Sequence, residues 1–307
     1  MDRPTAAQRT PEPPARLRVL ASGSGGNCTL VHVASRGRRR RVLIDAGLSP
    51  RRTRRLLAEC DVELADIDAI VLTHVDSDHL NAGWRNALPA SISLYIHRRH
   101  AAHARALGFE HEPMVEITDA FELFPGVRVD PLLLPHDELG VAAYRFSFDR
   151  DGLPPADLGF ATDVGRVSRR FIKRFRRVEV LAIESNYCPR MQRASDRPEF
   201  LKRRIMGGSG HLSNQESAKA VAAIGPREHV VLLHLSRQCN DPALAARVHA
   251  RGPCPVTIAG QFEPTRWVSI GVTRADDNGG SVHEASLAAP GMGHNGPGVP
   301  SPRVVQR

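Results

Sequence analysis

Four potential metal ligands, His74, Asp76, Asp78 and His79, lie within six residues, just behind the apolar run Ile70-Val71-Leu72. Imidazole and carboxylate donors suit zinc, manganese or iron, and each added carboxylate oxygen shifts preference toward harder ions. A segment that leaves a strand and turns toward a helix can point His74 and Asp76 one way and Asp78 and His79 the other. Such a cluster can hold two divalent ions side by side. Three further residues repeat the setting: His136 follows Leu132-Leu133-Leu134-Pro135, Asp163 follows Leu158 to Thr162, and His234 follows Val230 to Leu233. Singly, a histidine after a strand is commonly a capping group; together these residues suggest ligands converging at strand ends. A pair of ions activates water and clamps the attacking and leaving oxygens of an in-line displacement. That chemistry serves phosphodiesters, amides and thioesters alike.

Other stretches are candidates for choosing the substrate. Ser22-Gly23-Ser24-Gly25-Gly26-Asn27 can form a tight turn with exposed amides. Ser22, Ser24 and Asn27 are therefore substrate-contact candidates, and a plain turn after the first strand is the alternative. Gly207 to Asn214 opens a helix whose first amides can hold an anion. Its Ser213 and Asn214 are placed behind the site, and His211 at its mouth is the candidate for protonating a leaving oxygen. Asp78 is the second catalytic candidate. Asn186 would form a neighbouring wall with Glu184 and Ser185. Lys202, Arg203 and Arg204 are able to grip a nucleic-acid backbone. No aromatic ladder for stacking single strands is evident. The looser group His97, His100, His103 and His111 lacks an accompanying glutamate and reads as surface residues or a second layer behind the site.

The elements that must position these groups follow from hydrophobic pattern. A strand starts at Arg18-Val19-Leu20, and Thr29–Val33 with Arg41–Ile44 forms a hairpin around an arginine-rich turn. Ser49-Pro50 caps a helix reaching Cys60. Strands are expected over Asp68–Leu72, Leu94–Ile96, Val127–Leu134, Val141–Phe148, Leu158–Ala161, Val178–Ile183, Val230–Leu233 and Val256–Ile258. Helices are expected over His79–Leu88, Arg98–Leu107, Asn214–Ile224 and Pro242–Ala250. Strands of both patterns with helices between them argue for an α/β fold of two mixed sheets flanked by helices. Residues 1–15 and 275–307 are polar, proline- or glycine-rich and expected to be disordered, leaving a hydrolase domain over 16–274.

The chain has 307 residues, 41% of them hydrophobic, and no apolar run long enough to cross a bilayer. With no secretory signal between Met1 and Leu17, the cytoplasm is the expected compartment, without a membrane partner. Five scattered cysteines suit reduced, structural thiols. The net charge of +9 is bunched at Arg36–Arg41, Arg51–Arg55, Arg169–Arg177 and Lys202–Arg204. Such patches raise encounter rates with polyanions, although arginine-rich composition alone also yields solvated basic faces.

The ordered landmarks Ser22 to Asn27, Asp45-Ala46-Gly47, His74 to His79, His136-Asp137, Thr162 to Gly165, Glu184-Ser185-Asn186, Gly210 to Asn214 and His234-Leu235-Ser236 resemble the metallo-β-lactamase superfamily. Within it they resemble the YycJ/WalJ branch of small hydrolases implicated as nucleases. The resemblance covers most of residues 17–270. It implies an αββα sandwich. It also implies one ion on His74, Asp76, His136 and Asp163 and a second on Asp78, His79, Asp163 and His234, with Asp163 bridging. Asp45 would orient a histidine from behind. Asp76 stands where the family usually has histidine; retained as ligand, an aspartate favours a harder cation, so manganese and zinc are both expected, with iron possible, whereas a weakened first site would leave a one-metal enzyme. The resemblance implies a phosphodiesterase or nuclease acting on DNA or RNA, with a short or single-stranded substrate. The alternatives are a hydrolase of a small ester, thioester, lactam or cyclic nucleotide, and a metal-free regulatory or partner-binding protein.

Overall fold

The computed structural model describes residues 12–110, 112–136, 138–252 and 254–272. The expected tail 275–307, most of the expected lead 1–15, His111 and Asp137 lie outside the described residues.

Alternation along the strands decides the layers. Val42 and Ile44 face one apolar cluster and Leu43 the opposite one. Val180 and Ala182 face that same first cluster, while Leu181 and Ile183 face a third. A strand apolar on both faces has to lie inside a stack of layers. The first sheet has the order β14 (Val268–Ile270), β1 (Ala15–Ala21), β2 (Cys28–Ser35), β3 (Arg38–Ile44), β4 (Ala69–Val71), β5 (Ser93–His97) and β6 (Met114–Ile117). The second has the order β13 (Val256–Ile258), β12 (His229–Leu233), β11 (Val180–Glu184), β10 (Leu153–Ala161), β9 (Val141–Arg150), β8 (Val127–Leu134) and β7 (Phe121–Phe124). The inner cluster joins Val19, Val31 and Ile44 to Tyr144, Phe146, Phe160 and Val231. Outside the first sheet, helix α1 (Pro50–Ala58) and helix α2 (Arg98–Ala106) close the second cluster around Leu43, Leu56, Ile70 and Ala101. Outside the second sheet, α3 (Arg169–Phe175), α6 (Asn214–Ile224) and α7 (Pro242–His249) close the third cluster. Each leucine so buried contributes roughly 1.5–3 kcal/mol. The result is the expected αββα sandwich. Helices α4 (Pro189–Ala194) and α5 (Glu199–Met206) stand apart on a small cluster of Tyr187, Ile205 and Cys239.

Topology then selects one edge. β3, β4, β5 and β6 run parallel, as do β10, β11, β12 and β13, and β8 is antiparallel to β9, which is antiparallel to β10. The C-terminal ends of β8, β10, β11 and β12 therefore share an edge, and loops leaving those ends can converge.

Two local expectations are corrected. The stretch His79–Leu88 is no helix but a turn with a single 3-10 element at Ala82–Trp84. Asn81 N donates to Ala46 O at 2.9 Å, which ties the chain to the first sheet before a helix can propagate. Arg38 to Arg41 belong to β3, since Arg36 and Gly37, both at positive φ, complete the hairpin turn by themselves. Asp68 accepts from Arg40 Nη1 at 2.6 Å and from Arg41 N at 2.8 Å. β6, β7, β14 and the helices α3 to α5 were not anticipated, being short or strongly charged. Among the described residues no helix is long and apolar enough to cross a membrane, and none of the five cysteines is in a disulfide.

Candidate metal centre

Asp45, Asp163 and His234 leave their strands in the left-handed region, at φ 62°, 53° and 55°. None is glycine, so each conformation costs of order 1–3 kcal/mol and persists only where the surroundings enforce it. Hydrogen bonds do so here. Asp45 N donates to Val71 O at 3.0 Å, and His234 N donates to Ser22 Oγ at 2.8 Å. The cluster from His74 to His79 is clasped equally tightly. Asn27 N donates to Asp78 O, and Ala46 N to His79 O, each at 2.8 Å. Gly47 is required at this crossing, because a Cβ there would lie 1.7 Å from Asp78 O.

These constraints bring together His74, Asp76, Asp78, His79, His136, Asp163, His234 and His211. Ligand atoms of His74, Asp76 and His136 lie within 4.8 Å of one another, as do those of Asp78, His79 and His234. Asp163 joins His74 and His79 in a third such group, and Glu184, His211 and His234 in a fourth. Asp163 Oδ2 is 3.1 Å from His79 Nε2, and its Oδ1 is 3.2 Å from His234 Nδ1. Asp78 Oδ2 stands 3.5 Å from His234 Nε2 and 3.7 Å from His79 Nε2, and Asp76 Oδ2 stands 3.7 Å from His74 Nε2.

The donors fit a metal. Two donors on bonds of about 2.1 Å, at octahedral or tetrahedral angles, are roughly 3.0–3.4 Å apart; the observed pairs lie at or just beyond that spacing. His234 Nε2 is buried and makes no hydrogen bond among the described residues, although Asp78 faces it. A nitrogen held this way is costly unless a ligand occupies it.

Burial and charge oppose each other here. Burial, aided by neighbouring His79, holds His74 well below the usual imidazole value. Burial also opposes charge on His79, but Asp45 and Asp163 outweigh it and raise that imidazole well above its usual value. His234 is raised to about 10, as Asp163 and Glu184 overcome burial. Despite burial, His234 and His79 hold the Asp163 carboxyl well below its usual range. Protons here occupy positions that a divalent cation would compete for.

The outer layer is where placement and expectation part. Asp45 is buried behind His79, accepting from its Nδ1 at 2.8 Å and from Thr73 N at 2.8 Å. This fixes the tautomer that leaves Nε2 facing the cluster. Ser22, Asn27 and Asn186, expected to face substrate, are instead buried. Ser22 Oγ accepts from His234 N and donates to Asn27 Oδ1, and Asn186 Nδ2 donates to His234 O at 2.7 Å. The glycine turn spends its amides inward too: Gly23 N donates to Asn27 Oδ1 and Gly25 N to Gln261 Oε1, each at 2.8 Å. Of Ser22, Ser24, Asn27 and Asn186, Ser24 alone is exposed. Ser213 caps α6 in a box with Glu216, and Asn214 is buried, accepting from Ser185 Oγ at 2.7 Å. Lys202 donates to Arg193 O at 2.9 Å, while Arg203 and Arg204 are exposed on α5. His97 and His100 are buried, the His100 ring lying 6.5 Å from that of His74, and His103 is exposed.

Glu184 is the residue whose weight was missed. It is wholly buried and accepts from His211 Nδ1 at 2.7 Å, Leu212 N at 2.9 Å, Val164 N at 3.0 Å and His234 Nδ1 at 3.2 Å. It carries the same signal as Asp163 and His234, a polar residue closing an apolar run. Burial opposes charge on His211, but Glu184 outweighs it and raises the imidazole above its usual value.

Comparison with known proteins is consistent with this geometry. The sequence profile of a family described as a Beta-lactamase superfamily domain matches residues 40–235. The chain is 30% identical over 239 residues to Exodeoxyribonuclease WalJ of Streptococcus pneumoniae, covering 75% of this chain and 85% of that protein. It is 29% identical over 233 residues to Exodeoxyribonuclease YycJ of Bacillus anthracis, covering 74% and 84% respectively. In fold it is similar to the metallo-beta-lactamase fold protein YhfI of Bacillus subtilis, with a TM-score of 0.60 at 17% identity, covering 82% of this chain and 99% of that one.

Proposed function

Because the chain belongs to the metallo-β-lactamase superfamily and gathers fused clusters of metal-binding side chains, we propose that it is a dinuclear metal-dependent phosphodiesterase. Within the superfamily we place it on the WalJ/YycJ-like branch, degrading DNA strands from an end. The observation that carries this reading is the position of Asp163, whose two oxygens face His79 and His234 while its group also takes in His74. One carboxylate so placed is suited to serve both halves of the cluster. The names of the two curated relatives favour DNA over RNA and ends over interiors.

His74, Asp76 and His136 would hold one ion and Asp78, His79 and His234 the other, with Asp163 shared. Bound there, zinc or manganese supplies Lewis acidity and neutralises charge during hydrolysis. The protein's own groups do the rest. Asp45 keeps His79 in one tautomer, and Asn27 and Gly47 hold the turn that carries Asp78. His211, its imidazole held above its usual value by Glu184 and its side chain 20% exposed, is placed to hand a proton to a leaving oxygen. Lys202, Arg203 and Arg204 on α5, the helix leading into the Gly207–Gly210 turn, supply positive charge to a strand.

The test is metal analysis of protein purified without chelator, paired with digestion of end-labelled single-stranded DNA. The expected results are two ions per chain and loss of nucleotides from one end. A stoichiometry of one, or intact DNA beside hydrolysis of a thioester or lactam, would overturn the proposal. Binding should weaken steeply with salt, and neutralising Lys202, Arg203 and Arg204 should lower the slope of log affinity against log salt by up to about 2–3.

A further inference from the structure

Phe262 is 63% exposed, in a chain whose other large aromatic side chains are mostly buried. The cost of that exposure falls beside the metal centre. Gln261, immediately before it, is buried, accepts from Gly25 N at 2.8 Å and donates to Gly26 O at 2.9 Å. Ser22 N donates to Gly260 O at 2.9 Å, and Ser22 Oγ takes the backbone N–H of His234. Gly23 and Gly25 are glycines partly because a Cβ at either would come within 2.8 Å of Gln261 Oε1. Two hydrogen-bonded steps thus connect the backbone carrying Phe262 to a candidate metal ligand.

Two cations attend the ring. Arg237, three residues beyond His234, holds its Cζ 5.0 Å from the ring centroid, and Arg52 holds its Cζ 5.9 Å away. Arg52 is anchored by donating to Gln261 O. Glu263 follows and is exposed, but among the described residues it forms no ion pair with either arginine. The other strongly exposed phenylalanine, Phe200 on α5, has no such cation near its ring among the described residues.

We propose that Phe262 is a stacking platform for an unpaired base of a single DNA strand, with Arg52 and Arg237 taking the flanking phosphates. A flat apolar face next to two guanidinium groups matches the alternation of base and phosphate along such a strand. This rests on the nuclease reading above and adds where the strand lies as its end reaches the centre.

The test uses equilibrium binding of a short single-stranded oligonucleotide with phosphorothioate linkages to the metal-loaded protein. Phe262→Ala should weaken binding by roughly 5- to 100-fold, the range found for losing one base–aromatic stack. Phe262→Trp should restore it. An abasic nucleotide stepped along the strand should, at one position, cost the wild type that same factor and cost Phe262→Ala nothing. Unchanged affinity in Phe262→Ala, or a defect equal on intact and abasic strands, overturns the platform while leaving the nuclease reading intact if the wild type still degrades DNA. A wild type that neither binds nor degrades single strands overturns both.

Discussion

The two halves of the centre are built to different standards. Around Asp78, His79 and His234 nearly every atom behind the donors has a partner. His79 rests on Asp45 at 2.8 Å, the His234 backbone on Ser22 at 2.8 Å, and the His234 ring on Glu184 at 3.2 Å. Around His74, Asp76 and His136 the backing is uneven: buried His74 rests its Nδ1 on Thr73 Oγ1 at 3.0 Å, while the other two are more open. The Asp76 side chain is 51% exposed, and the half-buried His136 ring meets Gly210 O at 3.2 Å. Outer partners orient ligands and raise affinity, so the buried half should keep its ion and the open half should exchange. With two ions bound as proposed, such an arrangement would put adjustable coordination on the side open to solvent and rigid coordination behind it.

Removing the shared residue should erase the difference altogether. Asp163→Ala is expected to lose both ions and all hydrolysis, read by metal stoichiometry and by strand degradation. One tight ion retained in that variant would mean that the halves are independent. The next largest effect separates proton delivery from metal binding. His211→Ala should retain metal and fold while lowering turnover by roughly 10²- to 10⁴-fold. That defect should shrink on a phosphodiester with a strongly acidic leaving phenol; an equal defect on good and poor leaving groups would instead make His211 a positioning residue.

Asp45→Asn sharpens the comparison from behind. It should weaken metal binding by about 10- to 100-fold in the half that contains His79, with the open half changing less, as followed by competition with a chelator. Equal loss from both halves would show that Thr73, which also bonds Asp45 at 2.8 Å, transmits the effect to His74. The smallest expected effect belongs to Asp76→His. The centre should persist, with the open half shifting a few-fold toward zinc, because imidazole is the softer donor. Anomalous scattering that places neither ion within bonding reach of Asp76 in the unaltered protein would remove Asp76 from the ligand set.

Much of this was legible along the chain. His136, Asp163 and His234 each close an apolar run of only four or five residues, too short for an ordinary buried helix, so the run reads as an internal strand and the polar residue after it emerges at a sheet edge. The helix over Asn214–Ile224 was equally plain, since Ser213 and Glu216 form its capping box and Gly225 ends it at φ 62°. The reading failed where long-range contacts overrode local signals. His79–Leu88 looks helical, but the bond from Asn81 N to Ala46 O fixes it as a turn. Ser22 to Asn27 looks like an anion-binding turn, but its amides are satisfied by Asn27 and by Gln261, the latter 236 residues distant.

The sequence by itself therefore determined the kinds of donor present, the strands that end in them and the helices that cover those strands. These depend on side-chain chemistry and on hydrophobic periodicity, both of which are local. Only the tertiary structure decided how donors from separate strands group around Asp163, that Glu184 joins His211 to His234, and that Phe262 stands exposed near the centre. Those facts depend on which strand ends share an edge, a property of sheet order and direction that no segment of the chain carries alone.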